Sequence, residues 1–220
     1  MKTQLTRRSF LKQTTLTAGI ISAAPFNILN AVNAGEKIRI AQIGCGGRAM
    51  AHLGATLAEN LVAIVDVDEK RPDVVKKLLT DKGRDASKLQ VFTDYRGMFA
   101  KLGKQIDAVF IATPNHHHAL PAMIAMQHGI NVYCEKPVCH DIGEARKLRA
   151  LAAKSKVATQ MGNQGHCEEG YRRLCEYIWA GAIGKITETH SWTNRANGGE
   201  GPRPSKLPVP AGLHWDEWIG

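Results

Sequence analysis

The sequence lacks the signatures of several protein classes. Its 220 residues show no internal repeat and no long low-complexity run, which excludes solenoid and collagen-like architectures. No apolar stretch is long and pure enough to span a bilayer stably. The formal charge is +9, but no run of Lys and Arg is interleaved with aromatic residues, so we predict no nucleic-acid partner. What remains is the composition of an ordinary globular protein.

Cysteine pairs are also missing. The chain has five cysteines, an odd number, with no CxxC pair and no spacing typical of a disulfide framework. We therefore predict small thiols, several of them buried, rather than disulfides. They are Cys45, Cys134, Cys139, Cys167 and Cys175.

Acidic residues are absent from the first 34 positions. There the segment "TRRSFLK" precedes a mildly apolar stretch, and "AVNA" ends at Ala34 with small residues suited to a signal peptidase. This pattern resembles a twin-arginine export signal, with an N-terminal basic helix as the alternative. We expect residues 1–34 to be that signal and the protein to be exported to the periplasm. The first cysteine is Cys45, so no lipobox cysteine follows the signal and no stable membrane anchor is expected.

From Lys37 onward, short apolar runs alternate with segments of helical spacing. Near-continuous apolar runs are typical of strands buried on both faces of a parallel sheet. The strand–helix–strand rhythm predicts right-handed crossovers and a doubly wound α/β sheet of the Rossmann type over residues 35–162. The predicted strands are "KIRIAQIG", "LVAIVDVD", "LQVFTD", "QIDAVFIAT", "INVYCE" and "VATQMG".

After Gly162 the pattern changes. Glu168 to Ala180 is predicted to be helical, and "KITETHSWTN" alternates like a half-exposed strand. One strand and a loop cannot close a second core, and three of the four tryptophans, Trp192, Trp215 and Trp218, lie in that strand or beyond it. We therefore expect residues 163–220 to begin an incomplete α/β second domain with an open sheet, and the chain to be the front part of a longer protein.

A glycine-rich loop, "GCGGRA", lies where the first strand meets a helix. A dinucleotide pyrophosphate needs a tight turn, close backbone approach and a helix N-terminus with free N–H groups. Gly44 and Gly46 suit the turn and the approach, and Ala49 takes the third small position. Alone, such a loop is weak evidence, because plain strand–helix turns often use glycine. The predicted cofactor-binding residues of the loop are Gly44, Cys45, Gly46, Gly47, Arg48 and Ala49.

Asp66 strengthens the dinucleotide interpretation. It ends the second strand, 22 residues after Gly44, where a carboxylate accepts both ribose hydroxyls of NAD. A carboxylate there disfavours a 2′-phosphate, so NAD is predicted, while Arg48 and Lys70 leave NADP as an alternative. Asp68 is the second candidate for the ribose contact.

The segment "ATPNHHHA" ends the fourth strand. Adjacent side chains on a helix diverge by about 100°, so three consecutive histidines cannot all face one ion, and we predict no metal site. Thr113, Pro114 and Asn115 are predicted to form a rigid turn over the cofactor. One histidine is expected to face the cleft while the others are solvated.

The segment "EKP" ends the fifth strand, on the sheet edge where the glycine loop lies. Ligands bind at that edge in open parallel sheets. Lys136 near a nicotinamide can hold a substrate hydroxyl and ease its deprotonation, and Glu135 can hold Lys136 in place. These two are the predicted catalytic residues, with Glu135 also near the cofactor. The alternative is a surface turn with a solvated ion pair.

Together these residues resemble the Gfo/Idh/MocA family of glucose–fructose oxidoreductase, inositol dehydrogenase and relatives. The resemblance covers Lys37 to Gly220 and includes the stretches "QMGNQGH" and "GAIGKI". "EKP" in this context is highly specific, whereas the glycine loop is not. The resemblance implies a Rossmann domain followed by an α/β domain with a large open sheet that mediates homo-oligomer contacts. It also implies hydride transfer between NAD(P) and a sugar, cyclitol or similar polyol.

The resemblance also assigns roles to residues. Lys136 matches the family's active-site lysine, and His118 matches the histidine of the TPNxxH turn. Asn163 and Gln164 lie where the family approaches nicotinamide and substrate. The family's second catalytic group, usually a histidine with an aspartate nearby, lies in the second domain. No matching motif identifies His166, His190 or His214 of this chain as that group.

Three other functions are compatible with parts of the pattern. A glycosidase of the same family would oxidise the sugar transiently and restore NAD, so turnover would consume no cofactor. A non-catalytic module would bind NAD(P) or a sugar without turnover. A Rossmann methyltransferase also uses glycines and an acidic residue after the second strand, but "EKP" and the TPN turn have no role there.

Overall fold

The computed structural model describes residues 37–194, 201–202 and 205–220. The expected export signal at residues 1–34 lies outside these ranges.

Six parallel strands form one sheet in the order β3-β2-β1-β4-β5-β6, which confirms the predicted Rossmann fold. The order reverses between β1 and β4, so a crevice opens there at the carboxyl ends of the strands. The strands are β1 (Arg39–Ile43), β2 (Asn60–Val65), β3 (Gln90–Phe92), β4 (Ala108–Ile111), β5 (Asn131–Glu135) and β6 (Thr159–Gly162).

Seven α-helices lie within the described residues. The Asp94 and Asp141 side chains accept backbone N–H bonds at the starts of α3 and α5, and Gly129, with φ 73°, follows the end of α4. None of the helices in the described part of the chain has the length and apolar content that a membrane span requires. The helices are α1 (Arg48–Thr56), α2 (Arg71–Asp81), α3 (Tyr95–Leu102), α4 (Ala119–Gln127), α5 (Ile142–Lys154), α6 (Glu169–Trp179) and α7 (Trp215–Ile219).

The core covers both faces of the central strands. One cluster packs α3 and α4 against the sheet, and a smaller one packs α1 and α2 against the other face. The one buried amide in β1, Gln42, donates to the carbonyls of Gly44 and Ala49 and accepts from the Thr56 hydroxyl. A core side chain therefore holds the loop that follows β1 against the first helix.

The prediction of a strand within "KITETHSWTN" is wrong. Residues 185–194 have no strand or bridge assignment, and all ten are exposed, Trp192 to 86%. Alternating side chains favour an extended backbone, but a strand also needs a hydrogen-bonded neighbour, and no described segment pairs with this one.

One ion pair ties β1 to the start of β4. The Asp107 carboxylate accepts from the Arg39 backbone at 2.7 Å and from its guanidinium at 2.6 and 3.0 Å. The hydrogen bonds and charge of Arg39 lower the pKa of Asp107 despite partial burial. Because the folded-state pKa is depressed, the stabilisation is complete above the unfolded-state pKa of about 3.9 and is lost as pH falls through the folded-state value.

We expect Asp107→Asn to lower the free energy of unfolding at neutral pH by about 1–2 kcal/mol, since both partners remain partly solvated. The difference from wild type should shrink towards about pH 3. Urea unfolding at both pH values measures it. Asp81→Asn removes an exposed helical pair with Lys77 and should change stability by less than about 0.5 kcal/mol. A deficit that is unchanged at low pH would contradict the ion-pair account.

Candidate dinucleotide and active site

The glycine loop is a tight turn between β1 and α1. Gly44 has φ 90° and donates to the Val65 carbonyl at 2.8 Å, and a Cβ there would lie 2.6 Å from the Ala112 oxygen. Gly47 has φ 47° and directly precedes α1. The first turn of α1 carries no acidic residue and no side-chain cap. The N–H groups of Ala49 and Met50 donate to the Gly46 and Gly47 carbonyls, so the N–H groups ahead of them in the loop are the ones available to a ligand. Such a helix start suits an anionic group.

Asp66 directly follows β2 and faces the glycine loop, as the sequence predicted. Its Oδ2 accepts from the Cys45 backbone N–H at 2.7 Å, and its Oδ1 accepts from the Asp68 N–H at 2.9 Å. Burial raises the pKa of Asp66, against the lowering effect of these two hydrogen bonds. The two bonds use about half of the carboxylate's acceptor positions, which leaves others for hydroxyl donors.

Cys45 and Ala49 support the loop from beneath. Both are fully buried. Neither lies in the wall of the cavity of about 430 Å³ that the glycine loop borders. Burial raises the pKa of the Cys45 thiol, so the residue contributes its backbone N–H rather than its sulfur. The predicted contact of these two residues with a cofactor is therefore indirect.

Arg71 is a site residue that sequence reasoning missed. Its guanidinium packs beside Gly46, about as close as 3.5 Å to where a Cβ would stand, and its Nε lies 3.3 Å from Asp68 Oδ2. Asp68 also accepts from the Lys70 N–H, so it serves the start of α2. Asp66 is thus better placed than Asp68 for a ribose. No local motif marks Arg71, because the packing of α2 brings it to the loop.

Two neighbouring cavities lie along the carboxyl edge of the sheet. The first, of about 430 Å³, is bounded by the glycine loop, the segment from Asp66 to Arg71 and residues 93–96. The second, of about 360 Å³, includes Asn115, Lys136 and Gln164 in its wall. Arg48 and Thr113 line both, so the two cavities meet at the β1/β4 crevice. Pro114 borders the first cavity.

Glu135 is the centre of a buried hydrogen-bond network. Its Oε1 lies 2.6 Å from His52 Nε2 and accepts from Gln164 Nε2 at 2.6 Å, while the Arg48 Nε lies 3.5 Å away. A Cβ at Gly162 would lie 2.6 Å from the same oxygen, so a larger residue there would displace the carboxylate from this position. Burial acts to raise the pKa of Glu135, but the hydrogen bonds from Gln164 and His52 outweigh it and the pKa is lowered.

The structure excludes the alternative given for "EKP" and changes how Glu135 holds Lys136. Glu135 is 3% exposed, so it is not half of a solvated ion pair. It also contacts Lys136 through the backbone, where the lysine N–H donates to Oε2 at 3.2 Å, and not through the ammonium. The carboxylate turns inward because His52, one turn into α1, reaches it. The exposed Lys136 side chain instead lines the second cavity, and its ammonium forms no ion pair with any described residue.

The histidine arrangement differs from the prediction. His118 is 1% exposed, with Nδ1 2.5 Å from the Pro137 carbonyl and Nε2 2.7 Å from the Thr113 carbonyl. His118 lies in the wall of the second cavity, so one histidine does border the cleft as predicted. Both of its ring nitrogens are directed at these carbonyls, so the ring ties the TPN turn to the EKP turn.

The other two histidines are not solvated either. His117 is buried against the Tyr95 hydroxyl at 2.8 Å, and burial lowers its pKa. His116 is half-buried and contacts Trp218. The physical reason is that Tyr95, at the start of α3, and the C-terminal segment pack onto this turn. No group of three or more potential metal ligands occurs within the described residues.

Asn163 and Gln164, the two predicted site residues after β6, differ in whether they reach a cavity. Gln164 lines the second cavity, where its amide donates to Glu135 and to the Tyr133 hydroxyl. Asn163 lies in the wall of neither cavity. His52 is a further residue of the network that sequence reasoning missed. Its position three residues after Ala49, on the inner side of α1, was the available signal.

Comparisons with known proteins identify the family of the chain. The sequence matches the model of the Gfo/Idh/MocA oxidoreductase family, NAD-binding Rossmann fold, over residues 38–163. It is 30% identical over 158 residues to inositol 2-dehydrogenase of Burkholderia cenocepacia, which covers 70% of this chain and 44% of that protein. It is 31% identical over 104 residues to 2,7-anhydro-N-acetylneuraminate hydratase of Mediterraneibacter gnavus, which covers 47% of this chain and 27% of that protein.

Solved structures of inositol dehydrogenases share the fold of this chain. Scyllo-inositol dehydrogenase from Lactobacillus casei, with bound NAD(H) and scyllo-inositol, superposes with a TM-score of 0.59 at 27% identity, covering 69% of this chain and 44% of that one. Myo-inositol 2-dehydrogenase from Lactobacillus plantarum superposes with a TM-score of 0.60 at 26% identity, covering 69% of this chain and 43% of that one. The chain thus spans less than half the length of these relatives.

Proposed function

The chain belongs to the Gfo/Idh/MocA oxidoreductase family with an NAD-binding Rossmann fold, and from that premise we propose that it binds NAD for hydride transfer to or from a sugar, cyclitol or related polyol. The observation that carries the proposal is Asp66, fixed against the glycine loop beside a cavity that continues to Lys136. The inositol dehydrogenases among the relatives support the polyol class.

The residues present fit a dinucleotide. Gly44 leaves no room for a Cβ, the start of α1 has no side-chain cap, and Asp66 retains acceptor positions beside the loop. The loop N–H groups that lead into α1 would hold the pyrophosphate, and Asp66 would hold the adenosine ribose. NAD, when bound, accepts or supplies the hydride. The carboxylate of Asp66 would repel a 2′-phosphate, which favours NAD, while Arg71 and Arg48 keep NADP as the alternative.

In the second cavity, Lys136 would act on the substrate. Its ammonium can hold a hydroxyl oxygen and stabilise the alkoxide character that develops as the proton leaves. Glu135 fixes the backbone of Lys136 and is itself fixed by His52 and Gln164. We therefore assign Lys136 the catalytic contact and Glu135 a positioning role. The second acid–base group, and any homo-oligomer interface, would come from a second domain.

A reaction without net oxidation is the second candidate, such as a glycosidase that restores its NAD. One relative is named a hydratase, and hydration changes no net oxidation state. Sustained turnover without accumulation of reduced cofactor would separate this candidate from a dehydrogenase.

We also propose export by the twin-arginine route, on the basis of "TRRSFLK" alone. Fractionation of an expressing host, with Arg7 and Arg8 both replaced by lysine as the control, would test it. Equal amounts of both forms in the periplasm would contradict it.

The test of the cofactor site compares two aspartates. Asp66→Asn should weaken NAD binding about 10- to 100-fold and reduce the preference over NADP, because charge-assisted hydrogen bonds to the ribose are lost. Asp68→Asn should change affinity by less than about threefold, since that side chain serves Lys70 and Arg71. Calorimetric titration with NAD and NADP measures both.

Thermal melting of both aspartate variants must show a folded protein. The absence of NAD and NADP binding by the folded wild type would overturn the dinucleotide proposal. A larger loss for Asp68→Asn than for Asp66→Asn would move the ribose contact to Asp68.

A further inference from the structure

The last nine residues, Gly212–Gly220, cross the first cavity, and we refer to them as the strap. One end is fastened to the loop after β2. Glu69 N–H donates to the Gly212 carbonyl at 3.0 Å, and His214 N–H donates to the Val67 carbonyl at 2.9 Å. Asp68 and Leu213 form an antiparallel bridge between these two bonds. This end therefore behaves as a short extra strand beside the residues that follow Asp66.

The other end of the strap is fastened to the turn after β4. The Trp218 carbonyl lies 2.8 Å from His116 Nε2, and the two rings pack at 4.8 Å and 60°. Trp218 also stacks on Trp215 at 4.9 Å and 8°. Gly220 lies against the His117 ring, where a Cβ would come within 2.9 Å of it. The two fastenings are on opposite sides of the β1/β4 crevice.

Between its fastenings, the strap forms the outer wall of the 430 Å³ cavity. Leu213, Glu217 and Trp218 line that cavity, and Gly44 and Asp66 line it from the sheet side. Leu213 and Trp218 are both half-buried. The strap therefore covers part of the cavity on the side away from the sheet.

We propose that the strap is part of the dinucleotide site, with Trp218 and Leu213 contacting the adenosine half of the cofactor. This inference rests on the proposed function. An aromatic ring and an aliphatic side chain on a cavity wall suit the flat, largely apolar adenine, opposite the carboxylate that receives the ribose. The strap would cover part of a cofactor in this cavity, so we expect release to be faster when one of its attachments is removed.

The experiment compares two tryptophans. Trp218→Ala should weaken NADH binding about 10-fold or more, because the apolar wall of the cavity is lost. Trp192→Ala is the matched control, since Trp192 is 86% exposed and lies in the wall of neither cavity. In wild type, NADH should quench tryptophan fluorescence and accept its energy. Trp218→Ala should reduce this quenching more than Trp192→Ala does, with Trp215 remaining as a nearby donor.

A second variant loosens the strap without changing its sequence. His116→Ala removes the fastening at Trp218 and should raise the NADH dissociation rate in stopped-flow displacement by about 10-fold. If Trp218→Ala does not fold, the NADH dissociation rate of His116→Ala tests the proposal by itself.

The outcomes separate the two proposals. If folded wild type binds neither NAD nor NADP, the proposed function fails. If wild type binds but folded Trp218→Ala or His116→Ala binds and releases NADH as wild type does, the strap is not part of the site and this inference is overturned.

Discussion

Replacing Lys136 with methionine should reduce turnover by roughly 10²–10⁴-fold in a protein that carries the second domain, with NAD affinity changed by less than about twofold. The methionine keeps the length and most of the volume of the side chain while removing the ammonium. Lys136 is exposed, lines the cavity that lies next to the dinucleotide site, and pairs with no described carboxylate. Its charge is thus available to a substrate oxygen, and its loss should raise the barrier rather than disturb the fold.

Steady-state kinetics and a separate NAD titration distinguish these effects. Lys154→Met, on the exposed end of α5 and away from both cavities, is the matched control and should behave as wild type. Equal losses in turnover and NAD affinity for Lys136→Met would show that the lysine is structural. Unchanged turnover would remove it from the mechanism.

Replacing Gly44 with alanine should abolish measurable NAD binding and lower the free energy of unfolding by about 2–4 kcal/mol. Its φ of 90° is strained for any residue with a Cβ. The added methyl group would also lie 2.6 Å from the Ala112 oxygen and 2.8 Å from its carbonyl carbon. Both atoms belong to the backbone after β4, so the clash cannot be relieved by rotating a side chain. The crevice between β1 and β4 would have to open.

Chemical denaturation and NAD titration measure the two losses. Gly54→Ala is the matched control, because Gly54 lies within α1 with ordinary φ and no atom within 4 Å of an added Cβ. It should raise stability by up to about 1 kcal/mol, since alanine is the better helix former. A Gly44→Ala protein that is as stable as wild type and binds NAD would contradict the close approach described for this loop.

Much of the dinucleotide half of the site follows from local patterns. Gly44 and Asp66 end successive apolar strands, and the carboxyl ends of parallel strands meet at one edge, so their proximity was predictable from spacing. The same reasoning placed Lys136 at that edge, at the end of β5. Asp141 as the cap of α5 and Gly129 after α4 are also local signals, because the groups they satisfy lie within a few residues.

The amino-acid sequence by itself therefore determined the order of strands and helices, the glycine loop and the sheet edge on which the chemistry lies. Only the tertiary structure decided where the polar side chains turn. The Glu135 carboxylate meets His52, which is 83 residues away, and His116 meets Trp218, which is 102 residues away. No short-range periodicity encodes such contacts, because they depend on how whole helices and loops pack. The same cause left residues 185–194 without the strand that their alternation favours: a strand requires a neighbour, and a neighbour is a property of the fold.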